Sequence, residues 1–420
     1  MNNNLPNAQK LNHHIRKMSG RDEHEENRTA TSLELLFDLT FVISFGFASS
    51  QFAHFIAEGH YANALIGFAF SSFAICWAWI NFSWFASAYD TDDWVFRLMT
   101  MMQMTGVLIF ALGIKPMFIS LEHGHHIETK IIIFGYIIMR FSMVLQWLRA
   151  AKQDSKRRKT NLNYAFGILI AQIFWVATLF LNAKIITMMI ISTFLILFEL
   201  AIPIWSERKT GGTPWHAHHI SERYMLFAII ALGEGLVGTV ASLSSNIEAS
   251  GWSLDTILVG LGGTGLTFCV WWIYMMLPSA HILHSHRNRS FVWGYGQLIT
   301  ICSIVAIGAG LHVAAYFIAH EAHINSLATI LSIAIPFGVF IVSIYLLYYH
   351  LVRSFDTLHI FLLSGTLFFI LLSIFAAIQG INMAYCLIIL NLAPIVTIIG
   401  YELYGHKYQA NALIKNISPK

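Results

Sequence analysis

Residues 59–89 read GHYANALIGFAFSSFAICWAWINFSWFASAY, a stretch without one Asp, Glu, Lys or Arg. A helix needs about twenty apolar residues to cross the hydrocarbon core of a bilayer, and this run is longer. A transmembrane β-barrel would alternate apolar and polar residues in strands of about ten; here the apolar character is continuous. Comparable runs recur from residue 33 to residue 404. Over 420 residues the chain is 56% hydrophobic and 11% charged, with a mean hydropathy of +0.62, far from a soluble domain. The fold class is all-α, a polytopic transmembrane helical bundle.

The runs predict twelve spans, at 33–56, 63–87, 94–114, 131–149, 162–181, 185–205, 222–244, 254–277, 291–318, 326–349, 358–379 and 382–403. Two hairpins are very tight, Asn182-Ala183-Lys184 and Gly380-Ile381-Asn382. Taking the N-terminus as cytoplasmic puts nineteen Lys and Arg on that side and three, Lys115, Lys130 and Lys184, on the other. The excess of positive charge inside predicts that both termini are cytoplasmic. The basic run from Lys152 to Lys159 then marks topology and contact with anionic headgroups, with no nucleic acid implied. The partners are the lipid bilayer and a small-molecule or ion substrate; the sequence gives no oligomeric state.

Residues 1–30 are polar and mixed in charge and read as a disordered cytoplasmic tail, with no cleaved signal peptide. A first six-helix membrane half covers 31–205, a cytoplasmic linker 206–221, a second six-helix half 222–404, and a C-terminal cytoplasmic tail 405–420. The halves share features. Glu34 opens span one and Glu222 opens span seven, and Ile75-Cys76-Trp77-Ala78-Trp79-Ile80 resembles Phe268-Cys269-Val270-Trp271-Trp272-Ile273. An even-numbered unit repeats in parallel, about an axis along the membrane normal, as in some transporters. Cys76, Cys269, Cys302 and Cys386 lie inside spans without a CxxC pair and read as packing residues.

Charges inside the spans are the candidate site. In Ser32-Leu33-Glu34-Leu35-Leu36-Phe37-Asp38-Leu39-Thr40-Phe41-Val42 the two carboxylates are four apart, on one helix face. Glu34 suits a cap at the positive end of the helix dipole. Asp38 lies too deep for that and needs a partner charge, water or a protein interior. Arg97, Arg140, Glu199 and Glu234 also lie in spans, and Asp38, Arg97, Arg140 and Glu234 are expected to form a mutually neutralising cluster. Glu34, Asp38, Arg97, Arg140, Glu222, Arg223 and Glu234 are the candidate pathway residues. The alternative is a static ion-pair core that fixes helix register. Gly233, Gly235 and Gly238 around Glu234 permit either close helix packing or a broken helix.

Histidines cluster at His216-Ala217-His218-His219 and His281-Ile282-Leu283-His284-Ser285-His286 on the side predicted cytoplasmic, and at His123-Gly124-His125-His126 on the other. Facing imidazoles suit iron or zinc, so His216, His218, His219, His281, His284 and His286 are metal candidates. Interfacial histidines of a His-rich chain are the plainer explanation. No catalytic residue or cofactor is identified.

Leu33 to Val42 resembles the opening signature of the bacterial low temperature requirement A (LtrA) family. His219-Ile220-Ser221-Glu222-Arg223, leading to Leu232-Gly233-Glu234, is similar to its His-x-x-Glu-Arg and Leu-Gly-Glu segments. Trp271-Trp272-Ile273-Tyr274 resembles the Trp-Trp-x-Tyr segment, and Tyr295-Gly296-Gln297 the later Tyr-Gly-His. The resemblance covers roughly residues 30–400 and implies a multi-pass protein of the bacterial inner membrane, linked by name to growth in the cold. Two positions depart from the family: Met275-Met276 replaces an acidic residue and Gln297 replaces His, which puts proton transfer there in doubt. The resulting expectation is a transporter-like carrier of a small solute with a buried charge network. A membrane-embedded metal-dependent lipid-modifying enzyme and a non-transporting structural or stress-signalling protein are the rivals.

Overall fold

The computed structural model describes residues 15–25, 28–124, 126–181, 183–354 and 356–417. Among them the chain is helical, with no strand. The helices are α1 Ser32–Ala57, α2 Tyr61–Tyr89, α3 Trp94–His123, α4 Lys130–Gln153, α5 Arg158–Thr178, α6 Ile185–Thr210, α7 Ala217–Ser250, α8 Leu254–Met275, α9 Ser279–Ser285, α10 Ser290–Ile318, α11 Ser326–Val352, α12 Thr357–Ile378, α13 Met383–Gly400 and α14 His406–Ile417. All but the short α9 and α14 are long and apolar enough to cross a bilayer, giving twelve candidate spans. This is a multi-pass helical membrane protein.

Helix starts follow local chemistry. Thr31 caps α1 through a reciprocal box, its Oγ1 accepting from the Glu34 N–H and its own N–H donating to Glu34 Oε2, which satisfies two otherwise free donors. Asp93 caps α3 by accepting from the Phe96 N–H at 2.9 Å. In the tight hairpin before α13, Gly380 adopts φ +76°, where a side chain would be strained. The other tight hairpin includes Asn182, which lies outside the described residues, as does His125.

Neighbours repeat along the chain. In the first half α1 packs on α2 and α3, then α3 on α4, α4 on α5 and α5 on α6. In the second half α7 packs on α8 and α10, then α10 on α11, α11 on α12 and α12 on α13. The halves meet mainly through α10 against α1 and α2, and through α1 against α7. The core follows this layout: 78% of the most apolar stretch of α10 is buried, against 17% for α6. At the α7–α10 crossing, a Cβ on Gly308 would sit 2.5 Å from the Glu234 carbonyl carbon, and one on Gly238 2.6 Å from the Gly308 oxygen. Gly235, whose added Cβ would fall 2.6 Å from Thr267, and Gly238 therefore serve close packing, whereas Gly233 faces open space, and α7 runs unbroken past all three.

The N-terminal tail differs from the disordered segment expected, and the C-terminal tail is folded as well. The described part of 1–30 is packed: Met18 is buried and its N–H donates to Gln153 Oε1, Arg21 N–H donates to Ala88 O, and Arg28 donates to Ala86 O. The rest of that expectation falls on residues 1–14, 26 and 27, outside the described residues. Beyond α13 the chain forms a π turn, Tyr401–Gly405, and then α14. There Gln409 accepts from Tyr401 and donates to Met276 O. Buried polar side chains explain the order of both tails, because a polar segment docks where it satisfies backbone groups at helix ends.

Candidate functional site

α1 and α7 start at the same end of the bundle and carry matched registers. Glu34 is two residues past the first residue of α1 and His219 two past that of α7; Asp38 and Arg223 are each six past. Parallel packing therefore sets the two acids against the two bases at equal depth. Arg223 Nη1 lies 2.9 Å from Glu34 Oε1, and Nη2 donates to Asp38 Oδ1 at 2.5 Å. His219 Nε2 is 3.2 Å from Glu34 Oε1. Trp79 of α2 donates its indole N–H to Asp38 at 2.7 Å, and its ring stacks on Phe227 at 4.0 Å. None of the four charged or titratable side chains is more than 1% exposed.

This knot is short of both positive charge and hydrogen bonds. With His219 neutral, two carboxylates face one guanidinium. The Arg223–Glu34 pair is close but not aligned as a hydrogen bond, and among the described residues Asp38 Oδ2, Arg223 Nε and His219 Nδ1 have no hydrogen-bond partner. Arg28 and Asp90 carry the cluster toward the end of the bundle. Burial pushes the Arg28 guanidinium down, while the charges of Glu34 and Asp90 oppose that. Burial, reinforced by Glu34, lifts the Asp90 carboxyl to about 6. A partly desolvated chain of acids and bases that holds one excess negative charge has a place for one proton.

In the second buried pair the carboxylate is well satisfied, while Arg140 Nε has no hydrogen-bond partner among the described residues. Glu199 of α6 accepts from Arg140 at 2.9 Å, Trp77 at 2.6 Å and Tyr136 at 3.0 Å on Oε2, and from Trp175 at 2.8 Å on Oε1. Four helices, α2, α4, α5 and α6, thus meet at one carboxylate matched by one guanidinium. Pro203 lies one turn further along α6, where its missing N–H frees the Glu199 carbonyl and weakens the helix at that point.

Two hollows flank this pair along α2 and α6. Toward the knot end lies a cavity walled by Trp77, Asn81, Trp84, Glu207 and Tyr295. Toward the other end lies a mostly apolar groove of about 400 Å³ between Leu65, Phe70 and Phe73 of α2 and Met188, Ser192 and Ile196 of α6. The Trp77–Glu199 hydrogen bond stands between them.

The site expected from sequence is thus partly brought together and partly divided. Glu34, Asp38 and Arg223 converge. Arg140 does not join Asp38; it pairs with Glu199. Arg97 is exposed and pairs with Asp92 at 2.8 Å. Glu222 is half-buried, facing the Ala30 backbone. Among the described residues Glu234 has no basic partner, and it lies beside Gly46 and Ser49. The four-charge cluster is corrected on this geometry. Asp38 is six residues and Glu234 seventeen residues past the matched starts of α1 and α7, a difference in depth of about 16 Å at the helical rise per residue, too far for one network. His218 has the rings of His216, His281 and His284 at 5.6–5.9 Å, while His219 turns to Glu34. His286 leaves its buried Nδ1 without a partner. Among the described residues no three His, Cys, Asp or Glu groups could hold a metal ion. Gln297, at the family's His position, accepts from the Tyr274 hydroxyl at 3.1 Å. That contact joins the Trp-Trp-x-Tyr segment to the Tyr-Gly segment.

Known proteins agree with this frame. The family described as bacterial low temperature requirement A protein (LtrA) matches residues 29–393, and the chain belongs to it. It is an integral membrane protein of that family. It is also similar to an uncharacterized protein of Rhizobium meliloti (strain 1021), 24% identical over 305 residues that cover 69% of this chain and 70% of the relative. No solved structure matches.

Proposed function

We propose that the protein is a carrier of a small solute, built from two six-helix halves of the same orientation, with the knot end and both termini in the cytoplasm of a bacterial inner membrane. The observation that carries the reading is the pair of hollows separated by the Trp77–Glu199 bond. Two hollows on one line, parted by a single layer of side chains, are what alternating access needs. The groove side faces outward and the aromatic cavity faces the cytoplasm. In this reading α6 moves: its main packing partner is α5, and Pro203 lets its two ends bend separately. The knot joins the halves, and its spare proton position couples their rocking to proton movement. The lack of a metal-binding group among the described residues favours this over a metal-dependent lipid enzyme.

Labelling tests the reading without knowing the solute. In a background lacking the four native cysteines, Asn81→Cys reports the inner cavity. Bridging Phe70→Cys to Ser192→Cys with a bifunctional reagent closes the outer groove. The carrier reading expects Asn81→Cys to label severalfold faster from the cytoplasm once the groove is closed. An unchanged rate, with the bridge demonstrated by mass, would overturn it.

A further inference from the structure

The inner cavity has a composition that the carrier reading alone does not explain. Its walls are Trp77, Trp84, Trp147, Trp215 and Tyr295, with the Glu207 carboxylate among them. These come from α2, α4, α6, α10 and the segment before α7, so no single helix periodicity places them there. The rings meet at varied angles. Trp84 meets Trp215 edge-on at 4.9 Å, Trp77 meets Tyr295 edge-on at 5.6 Å, and Trp147 stacks on Tyr164 at 4.2 Å. A wall of this kind presents negative ring faces.

Glu207 adds a carboxylate that makes no ion pair among the described residues, although the Arg287 guanidinium lies near enough to interact with it by charge. Its oxygens accept from the Tyr164 hydroxyl at 2.9 Å, the Thr213 N–H at 2.9 Å and the Thr213 hydroxyl at 2.8 Å. The neighbouring cations are engaged elsewhere: Arg157 with Glu23 and Asp154, and Arg287 with Glu23. The protein already places one cation on this wall. The Arg287 guanidinium lies 3.8 Å from the centroid of Trp215. The room left to the centre of a water-sized sphere is about 60 Å³, enough for several waters or one compact head group.

We propose that this cavity binds a small organic cation of the methylated-ammonium class, held on the tryptophan faces and balanced by Glu207. Aromatic faces attract such a cation without needing a hydrogen-bond donor from it, and a poorly hydrated, diffuse charge loses little on leaving water. The buried indole N–H of Trp147, which has no partner among the described residues, can serve a water or an oxygen on the same ligand. As an assignment of cargo this rests on the carrier reading; as a binding site it stands on the cavity alone.

The test compares choline with 3,3-dimethylbutan-1-ol, its uncharged isostere, on the full-length protein in nanodiscs. Quenching or shift of tryptophan fluorescence is the readout, with calorimetry as a check. Choline should bind at least tenfold more tightly than the isostere, and Glu207→Gln should weaken choline about tenfold while leaving the isostere unchanged. Trp84→Leu, which keeps Glu207, should weaken choline as well. Equal binding of the two compounds, or no binding of choline to folded protein, overturns the proposal. Liposome uptake of labelled choline is then measured separately. Binding without uptake keeps the site and removes the carrier reading. Alternating cysteine accessibility without choline binding keeps the carrier and removes the cation.

Discussion

α2 against α6 and α8 against α13 occupy corresponding places in the two runs of helices, yet one seam is open and the other closed. On the closed seam, a Cβ on Gly262 would fall 2.6 Å from Leu387, and Asn391 donates to the Gly262 carbonyl at 2.8 Å. On the open one, α6 touches α2 through Trp77 and Glu199, and hollows lie on both sides. Setting Cys76 against Cys269 places Ala69 opposite Gly262 and Phe70 opposite Gly263. Glycines let the second pair of backbones meet, while phenylalanine and tryptophan hold the first pair apart. Two similar frames can therefore differ in function through a few side-chain volumes at one seam. The seam that does not close is the one crossed by the hydrogen bond from Trp77 to Glu199.

The largest expected effect breaks the open seam. Arg140→Leu strands Glu199 in a site with no other cation, at a cost of roughly 3–5 kcal/mol, read as lost thermal stability in detergent. Adding Glu199→Gln should recover at least half of it. Strict additivity would mean that the pair does not hold α6. The next effect separates the seams. Leu387→Ala should cost about 2–5 kcal/mol, whereas Met189→Ala, half-exposed in the groove, should cost about 1 kcal/mol. Equal losses would erase the contrast. The smallest effect concerns the helix ends, where α2 stops at Asp90 and α8 at Met276. Asp90 titrates near 6, above its ordinary 3.8, so its protonated form is favoured by folding. That contribution is full below about 3.8 and is lost as pH rises through about 6, with a ceiling of about 3 kcal/mol. Asp90→Asn should flatten the stability profile between pH 4 and 7; an unchanged slope would assign the titration to another group.

Much of the bundle was legible because crossing a bilayer demands long uncharged runs, and twelve of them stand out. The α1 carboxylates and the α7 His-Glu-Arg segment were also legible, but their pairing was missed. The reading placed Arg223 at the edge of a span and looked deeper for the partner of Asp38. Counting residues from each helix start finds the match, since Glu34 and Asp38 sit two and six residues in, as do His219 and Arg223. The same count does not join Arg140 to Glu199, which enter from the other end of the bundle ten and fourteen residues deep, about one helical turn out of step. Indole donors such as Trp77, Trp79 and Trp175 could not be found this way. A tryptophan in a membrane helix looks apolar until its N–H is seen to meet a carboxylate. Glu207 was hidden by its place in a short polar segment beside Arg208, which read as topology alone.

The knot also dictates an order of events at the ribosome. Asp38 and the arginine that neutralises it are 185 residues apart in the chain. At a synthesis rate of about 5–20 residues per second, roughly 10–40 s separate the emergence of α1 from that of α7. During that interval the first helix carries two acids with only Arg28, just before it, as a nearby counter-ion, in a solvent where an unpaired acid is costly. Stable integration of α1 is thus a late event, completed when the seventh helix arrives. A nascent chain cut before Ala217 presents an acidic first helix that insertion factors and membrane proteases can recognise as unfinished.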